Sequence, residues 1–148
     1  MRELSAKYGY SDITQFLVEY VSVHPEVDHQ VDEEQRTFGK ENDDFVLDAH
    51  LGFHFVPDSI RICLICDLEE AARRILDDSG RTTETATNIK DSIVSSQKRR
   101  DTMHENFMSL YQVDIDDHSN FDLVLDTTSL SSDEVFERAS AFIDLQRT

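Results

Sequence analysis

The sequence predicts an α/β protein built around a mostly parallel sheet, and three observations carry that expectation. Three short apolar runs, 45–47, 60–66 and 121–125, have the length of buried strands rather than of helices. Segments with apolar residues at helical spacing stand between and around them, and several open on a residue that caps helices. The resulting order, α-α-α-β-α-β-α-α-β-α, alternates the two kinds of element, which places helices on the faces of a parallel sheet.

Residues 2–8 read as a helix that stops at Gly9, a residue suited to the left-handed conformation of a C-cap. Ser11 caps a second helix, in which Ile13, Phe16, Leu17 and Tyr20 recur at helical spacing. Pro25 suits the first turn of a third, heavily charged helix, where its missing N–H would be unpaired in any case. That helix runs to about Glu41, with Val27, Val31 and Glu34 on successive turns. Asp44-Phe45-Val46-Leu47-Asp48 is the first, short strand, with a carboxylate at its end. The segment 49–58, holding Gly52 and Pro57, is a loop or short helix. Ile60–Cys66 is the second strand, and Asp67 caps a helix carrying Ala71, Ala72, Ile75 and Leu76 that fades at Asp77-Asp78-Ser79-Gly80.

Residues 81–110 show little apolar periodicity before Ile89 and read as a polar, mobile helical arm rather than core. Phe107, Leu110 and Tyr111 dock its far end. Phe121–Leu125 is the third strand, and Ser131 or Ser132 caps a final helix with Val135, Ala139, Phe142 and Ile143 facing inward. No internal repeat or low-complexity linker interrupts the chain, so 1–148 reads as one domain.

With 148 residues, 39% hydrophobic and 30% charged, the chain has the size and composition of one folded domain. Its 14 basic and 31 acidic residues leave a net charge of −17. Such a surface repels a nucleic-acid backbone, so no polynucleotide partner is expected and most of the acidity reads as solvated surface. No apolar run approaches the ~18 residues of a membrane span, and the first five residues lack the apolar centre of a signal peptide. The expected location is the cytoplasm, with no membrane partner.

Cys63 and Cys66 have the spacing of a redox or metal motif, but they lie in the apolar run 60–66. Positions three apart on a strand point to opposite faces, so the thiols diverge and read as buried and inert. His50 and His54 are four apart beside Gly52 and Phe53, with no carboxylate between them, a poor zinc pair. No resident metal ion is expected. Ligands of a parallel sheet gather at the carboxyl ends of its strands. Asp48 and His50 follow the first strand, Arg73 and Arg74 lie on the helix after the second, Arg99 and Arg100 lie in the arm, and Arg2 opens the first helix. Several arginines can together grip phosphates, because guanidinium is planar, always charged and bidentate. Spacing alone favours the plainer reading, surface arginines paired with nearby acids.

The order of segments resembles the cytidylate kinase family, its compact archaeal branch in particular. Met1-Arg2-Glu3-Leu4 is similar to the segment where an arginine grips the acceptor monophosphate, and Arg2 matches it. His24-Pro25-Glu26-Val27-Asp28 with Asp32-Glu33-Glu34-Gln35 is similar to a helix across the monophosphate pocket. Val46-Leu47-Asp48-Ala49-His50-Leu51 matches an acid-Gly-Arg segment whose arginine contacts substrate phosphate. Arg74 matches the arginine after the next strand, and Arg99 the first of two lid arginines seven residues apart. Tyr111-Gln112-Val113-Asp114-Ile115-Asp116 and Phe121–Thr127 continue the likeness, which covers nearly all 148 residues.

The resemblance implies a P-loop NTPase-like parallel sheet with flanking helices and a helical lid at 81–110. It implies phosphoryl transfer from ATP with Mg2+ to CMP or dCMP, by a monomer whose partners are small-molecule nucleotides. Arg2 and Asp48 would then hold the acceptor, His50 would stand near its phosphate, and Arg74 and Arg99 would neutralise the transferring group as the lid closes.

The chain departs from the pattern in three places. Ala49 and His50 replace the glycine and arginine after the acid, and Asn106 replaces the second lid arginine. The family's first, central strand and its Gly-rich phosphate loop are missing: no G-x-x-x-x-G-K-S/T pattern occurs, and the four glycines, Gly9, Gly39, Gly52 and Gly80, are isolated. The expectation is a chain incomplete at its N-terminus, a fragment or one begun at an internal methionine, and inactive alone. The alternative is a non-catalytic pseudokinase or binding protein that keeps the fold. A weaker rival is a kinase for another small substrate, of shikimate or adenylate type.

Overall fold

The computed structural model describes residues 6–10, 19–20, 24–78 and 88–147. The chain forms two units, Met1–Asp58 and Ser59–Thr148.

In the first unit Gly9 takes a φ of 83° at the end of a helical turn and donates its N–H to the Ala6 carbonyl at 3.1 Å, the expected C-cap. The earlier part of that helix, and the helix expected around 13–20 apart from Glu19 and Tyr20, lie outside the described residues. Helix α1 (Pro25–Glu41) has proline in its first turn. Of the residues expected on its successive turns, Glu34 has a described side chain, which accepts from Gln30 at 2.9 Å. The helix stops where the Asn42 side-chain amide and N–H both donate to the Phe38 carbonyl, at 3.0 and 3.1 Å, satisfying a carbonyl the helix end leaves open. Helix α2 (Gly52–Phe55) follows, and Leu51, Phe55 and Val56 are the buried apolar core here. Gly39 of α1 lies so near Val56 that a Cβ would meet its methyl groups at 2.8 Å, so only glycine permits this approach.

The segment 44–48, whose apolar run 45–47 predicts a strand, carries no regular structure, and Val46 is 95% exposed. Apolar character makes a strand only where the backbone N–H and C=O groups find a ladder partner. Among the described residues no strand pairs with this segment, and it is entered through Asp44 at a φ of 56°.

In the second unit β1 (Ile62–Ile65) and β2 (Leu123–Asp126) pair in parallel, Ile62 opposite Leu123 and Ile65 opposite Asp126. Arg61 sets that register. Its guanidinium grips the Asp122 carboxylate through Nε at 3.0 Å and Nη2 at 2.6 Å, and its N–H donates to the same carboxylate at 2.8 Å. A slip by one residue would break all three bonds and turn the side chains to the opposite face.

Side-chain caps open the helices of this unit, those at Asp67 and Ser131 where the sequence places them and the one at Asn88 where it names none. Asp67 accepts from the N–H groups of Glu69 and Glu70, at 2.9 and 3.3 Å, to open α3 (Leu68–Asp77). Asn88 opens α4 (Ile89–Tyr111) by accepting from Asp91 N–H at 3.0 Å. A short 3-10 turn, His118–Asn120, leads from α4 to β2. Ser131, rather than Ser132, caps α5 (Ser132–Gln146) in a reciprocal box with Glu134. Val135, Ala139, Phe142 and Ile143 are half-buried on α5, as expected.

Helix α4 packs on α3. The arm expected at 81–110 therefore begins, within the described residues, as a packed helix, and Ser92 at its start is fully buried. Apolar periodicity misses that burial because a serine counts as polar. At the other end Phe107 and Tyr111 are half-buried, while Leu110 is 49% exposed and does not dock. Among the described residues the Ser92 hydroxyl has no hydrogen-bond partner. Ser92→Ala is therefore expected to stabilise this unit, by about 1 kcal/mol, because it removes a buried polar group that makes no bond. Urea unfolding checks this: the midpoint rises at unchanged slope. A lower midpoint would mean the hydroxyl is bonded in solution.

Candidate functional site at the carboxyl end of the sheet

Parallel pairing brings the carboxyl ends of β1 and β2 side by side, and polar groups from both chain segments interlock there. Thr127, which is buried, donates both its N–H (2.8 Å) and its hydroxyl (3.0 Å) to the Ile65 carbonyl. The Thr128 hydroxyl donates to the Asp126 carboxylate at 2.6 Å and accepts from Asp67 N–H at 2.9 Å. Thr128 N–H reaches the same carboxylate at 2.9 Å. These bonds from Thr128 hold the Asp126 carboxyl below the usual carboxylate range.

Arg74 closes the network from α3. Its Nη2 donates to the carbonyls of Thr127, Thr128 and Leu130 at 2.8, 3.2 and 3.3 Å. Its Nη1 reaches the Thr127 hydroxyl at 3.4 Å, and its Nε donates to Glu70 at 2.8 Å. One half-buried guanidinium thus moulds the turn after β2. Glu70 also accepts from Arg73 Nε and Nη2, at 2.9 and 2.7 Å, and Arg73 reaches Asp77 at 2.8 Å. Hydrogen bonds from Arg73 and then Arg74 draw the Glu70 carboxyl down to about 2.

Glu70 and Asp122, the latter lowered by Arg61, contribute to the acid response of this unit together with Asp117, Asp126 and Glu134, which are lowered as well. Their folded values lie below those of an unfolded chain, so their contribution is fully present above about pH 4.3 and is lost as pH falls. Melting temperature is expected to hold from pH 7 to 5 and then drop, the Glu70 share vanishing toward about 2. Glu70→Gln should flatten that drop. An unchanged acid limb in the variant would remove Glu70 from the account.

The residues singled out in the sequence fall in both units. Arg74 and Arg99 lie on the neighbouring helices α3 and α4 of the second, and Arg99 is exposed. Asp48 and His50 are exposed on the irregular segment before α2 in the first, and Arg2 lies outside the described residues. Sequence reading missed Glu70, Thr127 and Thr128. The available signals were Glu70 one turn before Arg74 and the run Asp126-Thr127-Thr128 leaving a strand. Cys63 and Cys66 are free and half-buried rather than buried, and burial pushes the Cys63 thiol up, away from the reactive thiolate.

The described residues do not fit a magnesium–triphosphate cradle. Gly9 ends a helical turn, Gly39 is packed inside α1, and Gly52 begins α2, so none opens a strand–loop–helix turn with its N–H groups free for phosphate.

No family model matches the chain, and no solved structure matches it. Among curated proteins it is 33% identical over 132 residues to an S-adenosylmethionine-dependent nucleotide dehydratase of Lacinutrix mariniflava, covering 87% of this chain but only 25% of that protein. It is 31% identical over 144 residues to a cytidylate kinase of Pyrobaculum islandicum, covering 96% of this chain and 73% of the relative. It is 29% identical over 161 residues to a cytidylate kinase of Pyrococcus furiosus, covering 97% and 80%. With that identity running through both units and the α/β order expected of such a protein, the chain belongs to the cytidylate kinase family.

Proposed function

We propose that the chain carries nucleoside monophosphate kinase chemistry, the transfer of a phosphoryl group from ATP to CMP or dCMP. The observation that carries this reading is the likeness to curated cytidylate kinases along nearly the whole chain. Both units are then parts of one P-loop NTPase-like kinase domain, acting as a monomer on small nucleotides in the cytoplasm. Among the described residues no helix is long and apolar enough to cross a membrane.

In this reading Arg2 and Asp48 hold the acceptor, His50 stands by its phosphate, and Arg99 brings charge to the transferring group from the lid arm 81–110. Arg74 contributes at the sheet end, where its guanidinium also holds the turn 127–130 in shape. The work of these residues is positioning and charge stabilisation, since phosphoryl transfer asks little covalent chemistry of the protein. Magnesium bound with ATP would neutralise donor phosphates, and the described residues do not supply that cradle.

The test is a coupled assay with ATP, magnesium and CMP, run on these 148 residues and on a fusion carrying the strand, Gly-rich loop and helix of a cytidylate kinase relative ahead of Met1. No turnover is expected from the chain alone, and turnover from the fusion. Turnover by the chain alone would show that its phosphate grip lies elsewhere. A folded but inactive fusion would favour a second reading, a non-catalytic nucleotide-binding protein. That reading draws on Arg74, whose guanidinium is already engaged by Glu70 and three carbonyls.

A further inference from the structure

The far end of α4 and the turn after it hold a cluster that the proposed phosphoryl transfer does not use. His104 Nε2 stands 3.0 Å from Asp114 Oδ1. His104, Asp114 and Asp116 each offer one ligand atom, and all three atoms lie within 4.8 Å of one another. We propose that these three side chains bind one zinc ion, and that Arg100, which pairs with Asp116, competes with the metal for the site.

The donor set points to the class of ion. One imidazole nitrogen with two carboxylate oxygens is a zinc-type set, whereas magnesium and calcium sites are built from oxygen. Ligands held at about 2.1 Å from one ion stand roughly 3.0–3.5 Å apart, and the His104–Asp114 separation of 3.0 Å already has that spacing. The third ligand needs only a small inward movement, and Asp116 is exposed enough to make it.

The turn is also built to hold its carboxylates. Gln112 takes a φ of 56° and reverses the chain after α4. The Asn120 side-chain amide donates to the Asp114 carbonyl at 3.1 Å, and Asp116 N–H donates to Asp114 Oδ1 at 2.8 Å. Such bonds orient a ligand before the metal arrives. With neutral histidine the cluster carries two negative charges, on a protein whose net charge is −17. The Arg100 guanidinium balances one of them. Zinc must displace it from Asp116, so the arginine sets how tightly the ion is held.

That competition makes the test directional. The chelator-treated 148-residue protein is titrated with zinc by calorimetry and with cobalt by visible spectroscopy, cobalt reporting the ligand geometry. One equivalent is expected to bind. His104→Ala and Asp116→Asn should each weaken binding by tenfold or more and erase the cobalt bands, roughly the loss expected when one of three ligands goes. Arg100→Ala should tighten binding several-fold, while Lys98→Ala, the same charge change on the same helix, should leave it unchanged. These side chains are partly or fully exposed, so the variants should keep their fold, checked by circular dichroism. The proposal is overturned if His104→Ala binds as well as the parent, if Arg100→Ala and Lys98→Ala shift affinity alike, or if no single equivalent binds. None of these readouts depends on kinase activity, so they stand apart from the fate of the functional reading.

Discussion

Arg74→Ala is expected to destabilise the Ser59–Thr148 unit by about 1.5–3 kcal/mol, the cost of losing a hydrogen-bonded charged partner for several part-buried groups. The alanine leaves the carbonyls of Thr127, Thr128 and Leu130 without their common donor, and leaves Glu70 to Arg73 alone. Arg74→Lys should recover less than half of the loss, since an ammonium cannot reproduce the planar fork that serves three carbonyls and a carboxylate together. Arg73→Ala is the internal contrast. Arg73 bonds to acids on its own helix and is over half exposed, so its removal should leave the urea midpoint close to the parent's. Urea unfolding followed by circular dichroism measures all three. If Arg73→Ala costs as much as Arg74→Ala, the turn after β2 is held by something other than this clamp.

His50→Arg and Asn106→Arg together are expected to raise kcat/KM for CMP in the active fusion described above. Each position stands where the family resemblance places an arginine on phosphate, and each has a side chain without a permanent charge. A bidentate guanidinium on phosphate contributes about 1.5–3 kcal/mol more than a neutral group. Spent in the transition state, that is roughly ten- to a hundredfold per site. The Asn106 change, on the arm, should act mainly through kcat. A fusion already fast, and no faster with both arginines, would mean that this protein grips phosphate with other residues. The family assignment would survive, because it rests on the length and identity of the likeness rather than on those two positions.

The chemistry of this chain was only partly open to reading from its residues. Arg74 was visible as an arginine on the helix after a strand, but its partners Thr127, Thr128 and Leu130 lie 53 to 56 residues away. Nothing local predicts such bonds. The pair His104 and Asp114 was missed for a related reason. The two are separated by the end of α4 and a left-handed residue, and only the chain reversal there brings them to 3.0 Å.

By itself the sequence determined what depends on a few neighbouring residues. Helix starts at Asp67 and Ser131 stand where they were expected, because such a cap is a bond between a side chain and backbone two or three residues away, and the start at Pro25 and the stop at Gly9 follow from the backbone preferences of those two residues themselves. The α/β class follows from the same local patterns, and the family likeness from their order. Tertiary structure alone decided which apolar runs became strands. Ile62–Ile65 and Leu123–Asp126 found each other's backbone, while Phe45–Leu47, equally apolar, has no ladder partner among the described residues. It alone also buried Ser92 in what reads as a polar arm, and turned Arg74 inward onto three carbonyls. The physical reason is common to all three. Strand pairing, helix packing and a shared guanidinium are set by groups far apart in the chain, and their free energy exists only once the fold has brought those groups together.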